Sequence, residues 1–220
     1  MFQYVLFDLD GTLTDPKAGI TSCVQYALAD AGIEEPDLDK LEPFIGPPLT
    51  DSFREFYGFD DEQIKRAIDK YHERFDEKGI FENEIIEGIP ELLKALKDAG
   101  RRVSIASSKP RPLVIRILEH FEIAQYFDTV VGSEFDGRFA TKEAVVEEAL
   151  KQLVPSVYEK EDVAMVGDRK FDIQGARAHG LTGIGVSFGY AGEHELEDAG
   201  ADYIVDTVEE LQTLLLQGSL

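Results

Sequence analysis

Four separated stretches of this sequence carry side chains suited to acid–base and metal chemistry. In Asp8-Leu9-Asp10-Gly11-Thr12 the two carboxylates sit two residues apart. On an extended segment that spacing puts both on one side, with Cα atoms ~7 Å apart, and turns Leu9 away. Two carboxylates facing one pocket repel, so something positive must lie between or before them. Gly11 permits a tight turn whose backbone N–H groups, with that of Thr12, can point inward. Gly167-Asp168-Arg169-Lys170-Phe171-Asp172 adds a third and a fourth carboxylate. Oxygens of this kind, without a cysteine or histidine cluster, suit a hard octahedral ion such as Mg²⁺ and disfavour zinc.

Two further residues suit an anion. The Ser107 hydroxyl, with the amides that follow it from Ser108 on, can donate to the oxygens of a bound anion. Lys142 follows Thr141, a good N-cap, and a lysine at a helix N-terminus opposes the helix dipole unless an anion is expected there. Lys109 and Arg111 either meet a second anionic group on a substrate or serve as loop residues. Each residue also has an ordinary use: Asp168 as a strand-end acid, Asp172 as an acid at a helix start, Lys142 as a solvated lysine. Their convergence on one edge of one sheet is what tells the two readings apart.

That convergence depends on the elements that carry them. Tyr4 to Phe7 is a short continuous apolar run, the form of a parallel strand covered on both faces. From Asp8 to about Glu87 the pattern is helical and shows no convincing strand; Ile64, Ala67, Ile68, Tyr71 and Phe75 recur at spacings of three and four. Beyond it, helices and strands alternate. Strands are expected at Arg102 to Ala106, Asp128 to Val131, Val163 to Val166, Thr182 to Val186 and Tyr203 to Val205. Helices are expected at Pro90 to Ala99, Pro112 to Phe121, from Thr141, near Asp172 to His179, near Glu193 to Ala199, and from Val208 to Leu216 behind a Thr207 cap. Such alternation means a doubly wound parallel α/β sheet, Rossmann-like, with right-handed crossovers. A parallel crossover needs only a dozen or more residues, far fewer than separate the first strand from the second, so an α-helical domain is inserted there. The expected division is residues 1–15 and 86–220 for the core and 16–85 for the insertion. In such sheets ligands sit beyond the carboxyl ends of the strands, where Asp8, Asp10, Ser107 and Asp168 all fall.

Composition narrows the function. The 220 residues, at ~150 per domain, make one large domain or one with a compact insertion. With 22 Lys and Arg against 44 Asp and Glu, the net charge is -22. That field repels polyphosphate, so nucleic acid polymers and anionic membranes are poor partners. One cysteine, Cys23, excludes an internal disulfide and fits a reducing compartment. The apolar run near the N-terminus is too short for a signal peptide, and no window is long enough to span a bilayer, so the expected location is cytoplasmic. The oligomeric state stays open.

Taken together, the motifs resemble the haloacid dehalogenase superfamily, specifically its phosphatases with a helical cap inserted after the first strand. The match covers the whole chain: Asp8 to Thr12 for the first motif, Ser107 for the second, Lys142 for the third, and Gly167-Asp168 with Asp172 for the fourth. The resemblance implies that Asp8 is the nucleophile and Asp10 the general acid/base. Ser107 and Lys142 would hold phosphate. Asp168 would ligate Mg²⁺ beside the Asp8 carboxylate and the Asp10 backbone carbonyl, with Asp172 in the outer shell. Gly11, Thr12, Ser108, Lys109 and Arg169 would lie along the phosphate and substrate. Arg169 stands where relatives often carry a small hydroxyl residue, so the rim would be more basic than usual. Phe44-Ile45-Gly46-Pro47-Pro48-Leu49 looks like the substrate-facing cap loop of phosphoglycolate phosphatase and 5′-nucleotidase-like relatives, with Gly46 at its turn; otherwise it is an interhelical turn packed by Phe44 and Leu49.

The implied activity is Mg²⁺-dependent hydrolysis of a small phosphorylated metabolite, phosphoglycolate or a nucleoside monophosphate, through an aspartyl-phosphate. A dehalogenase of the same fold has no need of Asp10 or Asp168. A sugar-phosphate mutase would share every catalytic residue. A phospho-acceptor signalling module would place its acceptor on a middle strand and needs no helical insertion. The charge state of Asp10 is open, because burial beside Asp8 and a bound metal push it in opposite directions.

Overall fold

The computed structural model describes residues 2–155 and 157–218. The N-terminal apolar run forms strand β1, Tyr4–Phe7. The chain leaves it through β2, Thr14–Asp15, runs through helices α1 (Lys17–Asp30), α2 (Leu49–Tyr57) and α3 (Asp61–Phe75), and returns through β3, Glu84–Ile85. It then alternates: α4 (Ile89–Asp98), β4 (Arg102–Pro110), α5 (Arg111–His120), β5 (Thr129–Ser133), α6 (Lys142–Leu153), β6 (Val163–Gly167), α7 (Lys170–Ala178), β7 (Thr182–Val186), α8 (Glu195–Ala199), β8 (Tyr203–Val205) and α9 (Val208–Gln217).

Six of the strands make one sheet in the order β5-β4-β1-β6-β7-β8, every neighbouring pair parallel. This is the doubly wound α/β architecture. The strand order turns back at β1, so a crevice opens beyond its carboxyl end. Leu6, Ala106 and Met165 share a buried cluster with Val145, Val146 and Ala149 of α6 and Ala176 of α7. Alternation turns Val5 and Phe7, both fully buried, to the opposite face. Thr141 caps α6 by accepting from the Ala144 amide at 3.3 Å, and Thr207 caps α9 by accepting from Glu210 at 3.1 Å.

Two expectations need correcting. The stretch between Asp8 and Glu87 does contain strands, because β2 and β3 pair as a separate two-stranded sheet. Two residues each give no period to read. Strand β4 also runs past Ala106 to Pro110, so Ser107 lies inside it. The polar Ser-Ser-Lys run hides a ladder that continues onto β5, where Ser107 pairs with Gly132 and Pro110 with Ser133.

The chain divides into two compact units, one made of the segments up to Thr14 and from Ile85, the other of Asp15–Glu84. The second is helical. Ile64, Ala67, Tyr71 and Phe75 form the buried face of α3, which opens with a capping box between Asp60 and Gln63. Phe53 of α2 packs against Phe44 and Phe59, with ring centroids 5.0 and 5.7 Å away. Among the described residues no helix is long and apolar enough to cross a membrane.

Candidate active site

Register assembles the site. Phe7 pairs with Ile105 on one side and Val166 on the other, so the next residue, Asp8, leaves β1 level with Ala106 inside β4 and Gly167 at the end of β6. The Asp8 amide extends the ladder to the Val166 carbonyl at 2.9 Å, and its Oδ1 accepts from the Leu9 amide at 2.8 Å. The other oxygen, Oδ2, lies 2.9 Å from the ammonium of Lys142. Lys142 is the first residue of α6, and its side chain is 5% exposed. The ammonium also stands 2.7 Å from Asp172 Oδ1 and donates to the Ala106 carbonyl at 3.0 Å. Burial works against the Lys142 ammonium, but the charges of Asp172 and Asp8 outweigh it and raise its pKa above the ordinary lysine value.

Asp172 is buried at the start of α7 and accepts from the Arg169 amide at 3.0 Å, which places it on a helix N-terminus. It comes this close because residue 167 is glycine: a Cβ there would lie 2.1 Å from the Asp172 carboxyl carbon. Asp168 is fully buried, with Oδ2 accepting from the Tyr190 amide at 2.8 Å and Oδ1 from the Thr12 hydroxyl at 3.3 Å. Oxygens of Asp8, Asp168 and Asp172 all lie within 4.8 Å of one another. Burial first, and then the charges of Asp172 and Asp8, push the Asp168 carboxyl up to about 8. Burial also raises Asp172, to about 6, although Lys142 opposes it. Such a cluster is short of positive charge: among the described residues, Asp8, Asp10, Asp168 and Asp172 face only two ammonium groups, those of Lys142 and Lys109. Hard oxygen donors with two negative charges in excess fit a divalent ion such as Mg²⁺.

Other residues singled out by their sequence position take less expected places. The Gly11 and Thr12 amides serve the turn itself, donating to the Thr14 carbonyl at 2.7 Å and the Leu9 carbonyl at 3.2 Å. Gly11 adopts φ 77, the left-handed conformation that favours glycine. Ser107 is buried and its hydroxyl accepts from the Lys109 amide at 3.3 Å; the Ser108 carbonyl accepts from the Ser133 hydroxyl at 2.8 Å. Lys109, expected either as a contact for a substrate anion or as a loop residue, lies on strand β4 and not in a loop, and its ammonium pairs with Asp10 Oδ2 inside the site. Nor does Arg169 make the rim basic. Its guanidinium binds the Glu195 carboxylate at 2.9 Å, and the Lys170 and Gly192 amides donate to the same carboxylate. Gly46, at φ 102, belongs to the helical unit.

The sequence reading missed three contributors: the Lys109–Asp10 pair, Glu195 as the partner of Arg169, and the Tyr190 amide on Asp168. Only the first had a signal. Lys109 is two residues after Ser107, so on an extended strand both side chains point the same way.

The doubly wound sheet, its carboxyl edge gathering carboxylates around a buried lysine, and the relatives it matches together define a hydrolase of the phosphatase class. The family model of haloacid dehalogenase-like hydrolases matches residues 5–186, and the chain belongs to that family. It is 45% identical over 196 residues to a 5′-nucleotidase of Pseudomonas aeruginosa, covering 89% of this chain and 87% of that one. It is 38% identical to the tyrosine-protein kinase PtkA of Mycobacterium tuberculosis, over 97% of this chain and 72% of that one. A crystal structure of a predicted phosphatase from Clostridium acetobutylicum superposes with TM-score 0.92 at 46% identity, covering 99% of each chain.

Proposed function

We propose that the protein is a Mg²⁺-dependent phosphomonoester hydrolase that passes the phosphoryl group through Asp8 and acts on a nucleoside monophosphate. The observation that carries this is the placement of Asp8, Asp168, Asp172 and Lys142 around one point at the sheet's carboxyl edge. The 45% identity with a protein named 5′-nucleotidase supports the substrate class over phosphoglycolate. A net charge of -22 disfavours a long polyanion and leaves room for a small one.

Asp8 and Asp168 would hold the ion, with the Asp10 backbone carbonyl beside them and Asp172 behind them in the outer shell. Once bound, Mg²⁺ would offset the repulsion between a carboxylate and a phosphate dianion and stabilise charge on the transferring oxygens.

The chain's own residues supply the rest. Lys142 holds the Asp8 carboxylate in place and adds positive charge beside it. A carboxylate oxygen of Asp8 forms a bond to phosphorus as the ester P–O bond breaks, its electron pair leaving with the alkoxide. Asp10 gives that alkoxide a proton. Water then attacks the same phosphorus and gives a proton to Asp10, and the bond to Asp8 breaks. Ser107, inside the neighbouring strand β4, supplies a hydroxyl donor for phosphate oxygens.

Phosphate release should be assayed over nucleoside monophosphates, phosphoglycolate and sugar phosphates, with Mg²⁺ and with chelator. Turnover of nucleoside monophosphates that chelation stops and Mg²⁺ restores is the expected result. Turnover unaffected by chelation would overturn the metal assignment. A preference for phosphoglycolate or sugar phosphates would overturn the substrate class.

A further inference from the structure

The Asp10 carboxylate is unequally served. Its Oδ2 is paired with the Lys109 ammonium, while its Oδ1 is buried and has no hydrogen-bond partner among the described residues. Both side chains are enclosed, Lys109 at 8% and Asp10 at 12% exposure. A lysine that served only to attract anions would gain by standing in solvent with its charge free.

The backbone that presents Lys109 is specialised. Strand β4 pairs Ser107 with Gly132 and then Pro110 with Ser133, so Ser108 and Lys109 form an irregularity that β5 does not match. The bulge is fastened at both ends: the Lys109 amide donates to the Ser107 hydroxyl at 3.3 Å, and the Ser133 hydroxyl donates to the Ser108 carbonyl at 2.8 Å. Irregularities of this kind beside active sites re-aim a side chain.

We propose that Lys109 is the positioning residue for Asp10, fixing its carboxyl group so that Oδ1 is the oxygen that exchanges protons with the reacting groups. This rests on the reading of Asp10 as the proton-transfer residue of a phosphatase. As the ester bond breaks with its electron pair on the alkoxide oxygen, that oxygen takes the proton from Asp10 Oδ1. The O–H pair stays on Asp10, and the new carboxylate meets the Lys109 ammonium already in place. In the second half Oδ1 takes a proton from the attacking water. Lys109 acts through its pair with Asp10, so its loss should be felt at the step that Asp10 serves.

The test compares kcat/KM, which reads the steps up to departure of the leaving group, for AMP and for 4-nitrophenyl phosphate. The nitrophenolate leaves without a proton; the alkoxide of AMP needs one. K109M should lose on the order of 10²-fold on AMP, the range of a lost general acid, and under about tenfold on the aryl ester. K109R should recover most of the AMP activity. In a D10N background, K109M should change kcat/KM for the aryl ester by less than about threefold, since coupled residues are not additive.

Equal losses on the two esters would mean that Lys109 holds substrate or structure, and would overturn the proposal. So would losses that add in the double variant. A wild-type enzyme that releases phosphate from neither ester and from no member of the substrate panel would overturn the phosphatase reading itself and the proposal with it. Melting curves establish that each variant folds, and K109Q, neutral and polar, carries the same test if K109M does not.

Discussion

Gly11 and Asp168 leave no room for a side chain between them. A Cβ on Gly11 would lie 2.1 Å from Asp168 Oδ2, and Gly11 is held at φ 77. Turn and carboxylate are therefore fitted to each other across two strands. Gly11→Ala should strain the turn by about 1–3 kcal/mol and push Asp168 away from Asp8. The expected outcome is a loss in kcat/KM of about 10²-fold or more, with a higher Mg²⁺ concentration needed for half-maximal rate. A Mg²⁺ titration of activity beside a thermal melt checks it. A variant that melts lower but keeps its Mg²⁺ dependence would show that the contact matters only for folding.

Lys142 stands between two acids that would otherwise face each other, 2.9 Å from Asp8 and 2.7 Å from Asp172. Lys142→Met keeps much of the volume and deletes the charge. Removing one partner from a buried ionic cluster costs about 3–5 kcal/mol, because the remaining charges are left uncompensated. Urea unfolding in chelator should register a loss of that size. Adding Mg²⁺ should return part of the stability, since it supplies charge to the same acids, while turnover stays low. Unchanged stability in chelator would show that the two acids do not depend on the lysine.

Much of this arrangement is legible in the amino-acid sequence. Apolar runs such as Tyr4 to Phe7 and Val163 to Val166 read as strands buried on both faces, and the rule that ligands gather beyond their carboxyl ends picks out Asp8 and Asp168. Thr141 and Thr207 announce helices α6 and α9 because a hydroxyl before an apolar period has a local purpose. What stays hidden depends on partners far away in the chain. Arg169 reads as a free basic group until Glu195 is seen beside it, and Lys109 reads as a substrate contact or a loop residue until β4 is found to continue past Ala106. The strands β2 and β3 are too short to show a period, and only their pairing reveals them.

The Asp8 assignment predicts a covalent intermediate. Enzyme quenched in acid during turnover should carry one phosphoryl group on the peptide containing Asp8, detectable by mass spectrometry. Asp8→Asn should lose at least about 10³-fold in turnover and show no labelled peptide. It should not lose stability in chelator, because it removes one of the negative charges that press on Asp168 and Asp172. Label on a different residue, or undiminished phosphate release by the Asn variant, would sink the assignment.

Stability should depend on pH and metal together, and the direction follows from Asp168. In the folded protein burial and the charges of Asp172 and Asp8 raise its pKa to about 8, while in the unfolded chain an aspartate titrates near ~3.9. Between those values the folded state holds a proton that the unfolded state has released, so stability contributed by this group is present at low pH and is lost as pH rises toward 8. A divalent ion bound by the carboxylates displaces that proton and supplies the missing charge, so its benefit grows as the proton is lost. In chelator, the melting temperature should fall from pH 6 to pH 8 by about 5 °C or more, and saturating Mg²⁺ should raise it more at pH 8 than at pH 6. Asp168→Asn removes the titrating group and should flatten both trends. Equal Mg²⁺ stabilisation at the two pH values, in the wild type and in the Asn variant alike, would mean that the ion binds elsewhere.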